Sequence, residues 1–199
     1  MLIKNEKPIK IIGYPESSMT QEGYEFLHCD GALNLEIILP EEFIRLNNKE
    51  DFQYQVVFSV DMPLREEICD IIDSKHLDCV TFIHDSCVVS PNARIGKGVF
   101  IGPFSSVLQQ SEIKDFCCIE AYCLVSHYVI MQKNCIMHSG VLIGGRTTIG
   151  ERCVFGFKSS VSNKVSVADD VEVCGFSNLT KDAIVSGKYI GSVARLVKT

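Results

Sequence analysis

Every sixth residue from Ile83 to Leu179 is large and apolar. The series runs Ile83, Val89, Ile95, Ile101, Val107, Ile113, Ile119, Val125, Met131, Met137, Ile143, Ile149, Phe155, Val161, Val167, Val173 and Leu179. In a chain that is 46% hydrophobic, so long a run arises by chance on the order of once in a hundred thousand. The residue four places after each is small or β-branched, from Cys87, Ala93 and Val99 through Cys117, Cys123 and Cys135 to Ser177. Glycine often follows the large residue, as at Gly96, Gly102, Gly144, Gly150 and Gly156. A helix would scatter a period of six around its circumference. Short strands joined by tight corners accommodate it, with the large residue filling the interior and the small one fitting beside the bend. Three such segments make a coil of about eighteen residues, and successive coils stack by parallel pairing roughly 4.8 Å apart. The pattern therefore predicts a triangular β-solenoid of a little over five coils across residues 83–179.

Residues 1–82 show no hexads and predict a small α/β domain. Strands are expected at Pro8–Tyr14, Leu35–Leu39, Tyr54–Val60 and Cys79–Ile83, the last leading into the solenoid. Helices are expected from Pro40 to Leu46, where proline and acids occupy the first turn, and at Pro63–Ser74, with Leu64, Ile68, Ile71 and Ile72 on one face. Ser17–Leu27 fits helix or loop. The alternation implies a parallel sheet. Residues 180–199 form a C-terminal segment that closes the last coil as a strand or loop.

A formal charge of −6 and the absence of a basic block interleaved with aromatics argue against nucleic acid as a partner. No apolar run reaches the roughly 18 residues of a membrane span. The first ten residues lack the apolar core of a secretory signal, so a soluble cytoplasmic protein is expected. Ten cysteines then read as reduced thiols. Cys117, Cys135 and Cys153 are eighteen apart and should stack as a ladder of small packing residues, with no metal implied.

Against this framework few residues carry chemistry. His127 lies two places after Val125, and Gly145 lies one coil further on. An outward imidazole can act as general base, and the glycine can admit a thioester and offer its N–H to an oxyanion. Glu120 and His138 are also eighteen apart and should be stacked neighbours, either an acid–base pair or an exposed ion pair. The first strand–helix turn, Gly13 to Ser18, has no GxGxxG and carries Glu16, so it does not read as a phosphate cradle.

The segments FIHDSCVVSPNARIGKGVFIGP, LVSHYVI, IGGRTTIGERCVFG and YIGSVAR resemble bacterial sugar acetyltransferases that join a small N-terminal α/β domain to a hexapeptide-repeat β-helix. The likeness spans about residues 54–196. Members include sialic acid O-acetyltransferases and N-acetyltransferases acting on nucleotide-linked 4-amino sugars. The resemblance implies a mainly β fold, a left-handed parallel β-helix preceded by a partial Rossmann-like domain; this is an exception to the right-handed crossover rule. It implies a homotrimer using acetyl-CoA, or another acyl-CoA, as co-substrate to acylate an amino or hydroxyl group of a sugar in surface glycan synthesis. His127 corresponds to the general base and Gly145 to the glycine facing the acetyl group, while Phe157 and Gly175 correspond to cofactor contacts in a groove between subunits. The chain departs from the family at several positions: Tyr128 replaces an acid, Ile136 a second histidine and Glu120 an asparagine. Tyr14–Ser18 replaces a glycine-rich nucleotide loop, and Val193-Ala194-Arg195 replaces a terminal Pro-Ala-Lys. Two other readings follow from these departures, an enzyme using His138 with Glu120, and a non-catalytic solenoid scaffold.

Overall fold

A computed structural model describes residues 7–29, 34–56, 62–192 and 195–197. It divides into two compact units, Met1–Phe82 and Ile83–Thr199.

The first unit runs β1 (Ile9–Ile12), α1 (Ser18–Cys29), β2 (Leu35–Ile38), α2 (Pro40–Arg45), β3 (Gln53–Val56) and α3 (Met62–Ser74). The three strands form a parallel sheet in the order β2-β1-β3, the small α/β arrangement expected. Residues 57–60 of the expected third strand lie outside the described residues. Residues Ser17–Leu27, ambiguous in sequence, fall mostly within α1. The described buried positions of α1 are Thr20, Gly23 and Leu27, a helical stripe in which only one residue is large and apolar. Helix α2 begins at Pro40, and the Glu42 carboxylate accepts the Leu39 N–H. Helix α3 is rotated from the expected face. Arg65, Ile68, Cys69 and Ile72 are its buried residues, and Leu64 and Ile71 are half-buried at the margin. Cys79 makes a single parallel bridge to Tyr54, so the segment before the solenoid is less regular than a strand.

The second unit is the predicted solenoid, about six turns of parallel coil, left-handed as the resemblance implies. Its strands are mostly two residues long. They stack into three walls whose registers step by eighteen residues, as in Ile101↔Ile119↔Met137↔Phe155↔Val173. The second wall aligns Val107, Val125, Ile143 and Val161, and the third Ile113, Met131 and Ile149. The large residues from Ile101 to Leu179 are all buried. Ile83, Val89 and Ile95 in the first coil are partly covered.

The small position has a second physical role. Thiols and hydroxyls there donate to the carbonyl fifteen residues ahead: Ser105 to Glu120 at 2.7 Å, Ser111 to Ser126 at 2.6 Å, Cys117 to Gln132 at 3.1 Å and Cys135 to Gly150 at 3.1 Å. Cysteine and serine are thus small enough for the bend and supply a donor to a corner carbonyl. Each corner also holds one residue at positive φ, every sixth residue from Gly98 to Phe176. Left-handed backbone costs a side-chain-bearing residue roughly 1–2 kcal/mol. Most of these corners gain an inter-coil hydrogen bond, from the residue's N–H to the carbonyl nineteen places earlier, as from Tyr128 to Gln109 at 3.0 Å.

Parallel stacking continues past Leu179, where the hexads stop. Val167 pairs with Ala183, and Val171 and Val173 pair with Gly187 and Tyr189. The step is sixteen residues here, because the corner after Leu179 is two residues shorter. The chain then reverses, with Tyr189 opposite Leu196 in antiparallel pairing.

Two buried thiols, Cys123 and Cys135, weaken the fold as pH rises, while Cys153, held below its ordinary value by its hydrogen bond with Cys135, acts in the opposite sense. Burial pushes the Cys123 thiol up to about 12 and raises that of Cys135 well above its ordinary value. An unfolded thiol loses its proton near pH ~8.5. Above that pH the unfolded state binds fewer protons than the folded state, so stability falls as pH rises. Each such thiol contributes a loss of about 1.4 kcal/mol per pH unit. Urea unfolding followed at pH 8, 9 and 10 is expected to show a steadily falling midpoint, with a shallower decline in Cys123→Val. A midpoint constant across this range would refute the assignment.

Candidate active site

The corners place the site residues. His127 follows the second-wall strand Leu124–Val125 and precedes Tyr128, the left-handed residue of its corner. Its ring is half-buried and lies over Gly145 in the next coil. A Cβ built on Gly145 would stand 2.3 Å from His127 Cε1 and 2.5 Å from Nδ1. Only a glycine leaves room for the imidazole in this position. The Tyr128 ring packs edge-on against His127 at 5.6 Å, and the Arg146 guanidinium lies 5.2 Å over Tyr128. Tyr128 therefore contacts His127 through its ring. His127 Nδ1 is buried without a hydrogen-bond partner.

The Gly145 N–H requires a correction. It donates to Asn163 Oδ1 at 2.9 Å and is not a free donor for an oxyanion. The same device closes two other corners, with the Lys97 N–H on Asp115 Oδ1 at 2.9 Å and the Glu151 N–H on Asp169 Oδ1 at 2.8 Å. The repeat has a sequence signal: Gly96, Gly144 and Gly150 are each followed nineteen places later by Asp or Asn. That signal would have identified Asn163, which sequence reasoning missed.

Glu120 and His138 meet as expected, and the pair is largely buried. His138 Nδ1 lies 2.6 Å from Glu120 Oε1. Glu120 Oε2 accepts the Ser139 N–H at 2.8 Å and the Ser139 hydroxyl at 2.7 Å. The Glu120 side chain is 4% exposed and that of His138 29%. His138 also stacks on Phe157, with ring centroids 5.0 Å apart.

The predicted residues fall on two edges of the solenoid. His127, Tyr128 and Gly145 follow second-wall strands, whereas Glu120, His138, Phe157 and Gly175 follow first-wall strands. Within one chain, the expected base and the expected cofactor contacts are not brought together. In the first unit, the turn from Gly13 to Ser17 is pinned by Gln21 Nε2 on the Pro15 carbonyl at 2.7 Å and by Tyr14 on Glu41 at 3.0 Å. Among the described residues, no group of three His, Cys, Asp or Glu could hold a metal ion, and no helix is long and apolar enough to cross a membrane.

Comparison with known proteins places this geometry among relatives. The sequence profile described as the GMPPB C-terminal domain matches residues 83–195. A histidine-to-asparagine mutant of perosamine N-acetyltransferase from Caulobacter crescentus, solved with CoA and GDP-perosamine, is similar with a TM-score of 0.87 at 21% identity, over 98% of this chain and 99% of that one. The acetyltransferase domain of PglB from Neisseria gonorrhoeae FA1090 with acetyl coenzyme A gives 0.85 at 19% identity, over 97% and 100%. WeeI from Acinetobacter baumannii AYE gives 0.83 at 13%, over 96% and 100%. These likenesses show a shared fold extending through both units. No curated protein sequence matches the chain.

Proposed function

We propose, from the premise that this chain belongs to the GMPPB C-terminal domain family, that it transfers an acyl group from acyl-CoA to an amino or hydroxyl group of a sugar or nucleotide-linked sugar. Acetyl-CoA is the proposed donor, and surface glycan synthesis the setting. The observation that carries this reading is the seating of His127 on Gly145. The glycine leaves the space that the imidazole occupies, which any side chain at that position would take. In this reading His127 takes the acceptor proton as nitrogen or oxygen attacks the thioester carbon. The C–S bond then breaks, and the proton passes to the CoA thiolate. Solved structures of the same fold hold CoA or acetyl coenzyme A, which supports the choice of donor. The separation of His127 from Phe157 and Gly175 supports a groove between two copies in a homotrimer, one supplying the base and the other the cofactor contacts.

The test is calorimetric binding of acetyl-CoA together with thiol release against a panel of free sugars, amino sugars and nucleotide-linked sugars. Binding and turnover with one acceptor class are expected. Absence of both would replace this reading with the scaffold.

A further inference from the structure

His127 and His138, two of the solenoid's histidines, are prepared for different tasks. His127 Nδ1 meets no acceptor. His138 Nδ1 faces a carboxylate that is itself held by two further donors from Ser139. The geometry points to Glu120 and His138 as a second acid–base centre of this chain, built to activate a hydroxyl acceptor. The inference rests on the acyl-CoA reading for its donor.

A carboxylate removed from water is unfavourable unless its lone pairs are met. Glu120 meets that condition: one oxygen is taken by His138 and the other by the N–H and hydroxyl of Ser139. Corner closure does not demand this arrangement. The equivalent positions one coil before Glu120 and one coil after His138 are Gly102 and Gly156, and those corners close without it. The pair is an addition to the repeat.

Its chemistry follows from which nitrogen is held. With Nδ1 on Glu120, that nitrogen carries the proton, and Nε2 is left as the basic nitrogen, with no hydrogen bond to it among the described residues. Stacking on Phe157 fixes the ring plane. A carboxylate that fixes the tautomer and stabilises the imidazolium is the arrangement that activates hydroxyl nucleophiles, which are weak until their proton is removed, whereas a neutral amine attacks through its lone pair. Phe157 is 53% exposed, and as the proposed cofactor contact it would set the thioester beside His138. In the step itself, His138 Nε2 accepts the hydroxyl proton while oxygen bonds to the thioester carbon. The C–S bond breaks, and the imidazolium returns the proton to the thiolate sulfur. The products are an O-acyl sugar and free CoA thiol.

The test uses acetyl-CoA, hydroxyl-only sugars and the matching amino sugars, with wild type, His138→Ala, His138→Gln and Glu120→Gln. Wild type is expected to form O-acetyl product. Both His138 variants are expected to lower kcat for the hydroxyl acceptor at least 100-fold. Glu120→Gln should lower kcat at least tenfold while the acceptor KM stays within about threefold, since Glu120 acts through the histidine. The low-field proton resonance of His138 Nδ1–H should be present in wild type and lost in Glu120→Gln, a signature that a merely structural contact to Ser139 would not produce. Product on amines alone, or hydroxyl transfer in both His138 variants within threefold of wild type, overturns this assignment and leaves the acyltransferase reading standing. No acetyl-CoA binding and no thiol release with any acceptor overturns both.

Discussion

His127→Ala is expected to lower kcat with an amino acceptor by about 10²- to 10⁴-fold, the usual contribution of a positioned general base. The fold should survive, because the histidine sits at a corner and is absent from the hydrophobic core that stacks the coils. The backbone bond from the Arg146 N–H to the His127 carbonyl, 3.0 Å, is retained in the variant. The KM for acetyl-CoA should stay near wild type, since the proposed cofactor contacts Phe157 and Gly175 lie on another edge. Thiol release in steady state, with thermal unfolding alongside, checks this. A kcat within threefold of wild type would remove His127 from the mechanism.

Gly145→Ala isolates the second element of that site. The substitution keeps the N–H and its bond to Asn163, and adds only a methyl group 2.3 Å from His127 Cε1. Real carbon contacts do not close to this distance, so the imidazole must swing away. Displacing a catalytic group by about 1 Å costs roughly 100-fold, and a loss of that order in kcat is expected. Asn163→Ala is the complement, because it frees the N–H and leaves the space above Gly145 unchanged. If the role of the glycine is room for the ring, Gly145→Ala is the more damaging change. If Gly145→Ala is fully active, that role is refuted.

The walls were legible because the inward residues declare themselves: a large apolar side chain can occupy only the interior, and its six-residue return leaves one geometry. The stacking of Glu120 on His138 was legible for the same reason, since eighteen residues is one coil. Other features rest on contacts that spacing does not encode. Helix α1 buries threonine and glycine along its stripe, so no apolar period marks it. The last coil was hidden by a two-residue shortening that breaks the hexads while preserving the pairing. Phe157 entered the sequence reading only as a cofactor contact by resemblance, and its stack on His138 depends on the rotamer of an exposed ring. Ser139 gave no sign of closing the carboxylate of Glu120, because a serine at a solenoid corner is ordinary. Val193 and Ala194, the departures from the family's C-terminal motif, lie outside the described residues.

The antiparallel return at the end of the solenoid guards an edge. A column of eighteen-residue turns has no internal reason to end, and its uppermost strands would offer unpaired N–H and carbonyl groups to the underside of another molecule, the route to a fibre. The shortened corner after Leu179 leaves the last turn paired with the eighteen-residue coil beneath it, so shortening alone would not keep a further coil from being laid upon it. The antiparallel return from Tyr189 to Leu196 then occupies one of the edges that such a coil would need. That return sets backbone pairing, rather than surface charge, against edge-to-edge association at this wall.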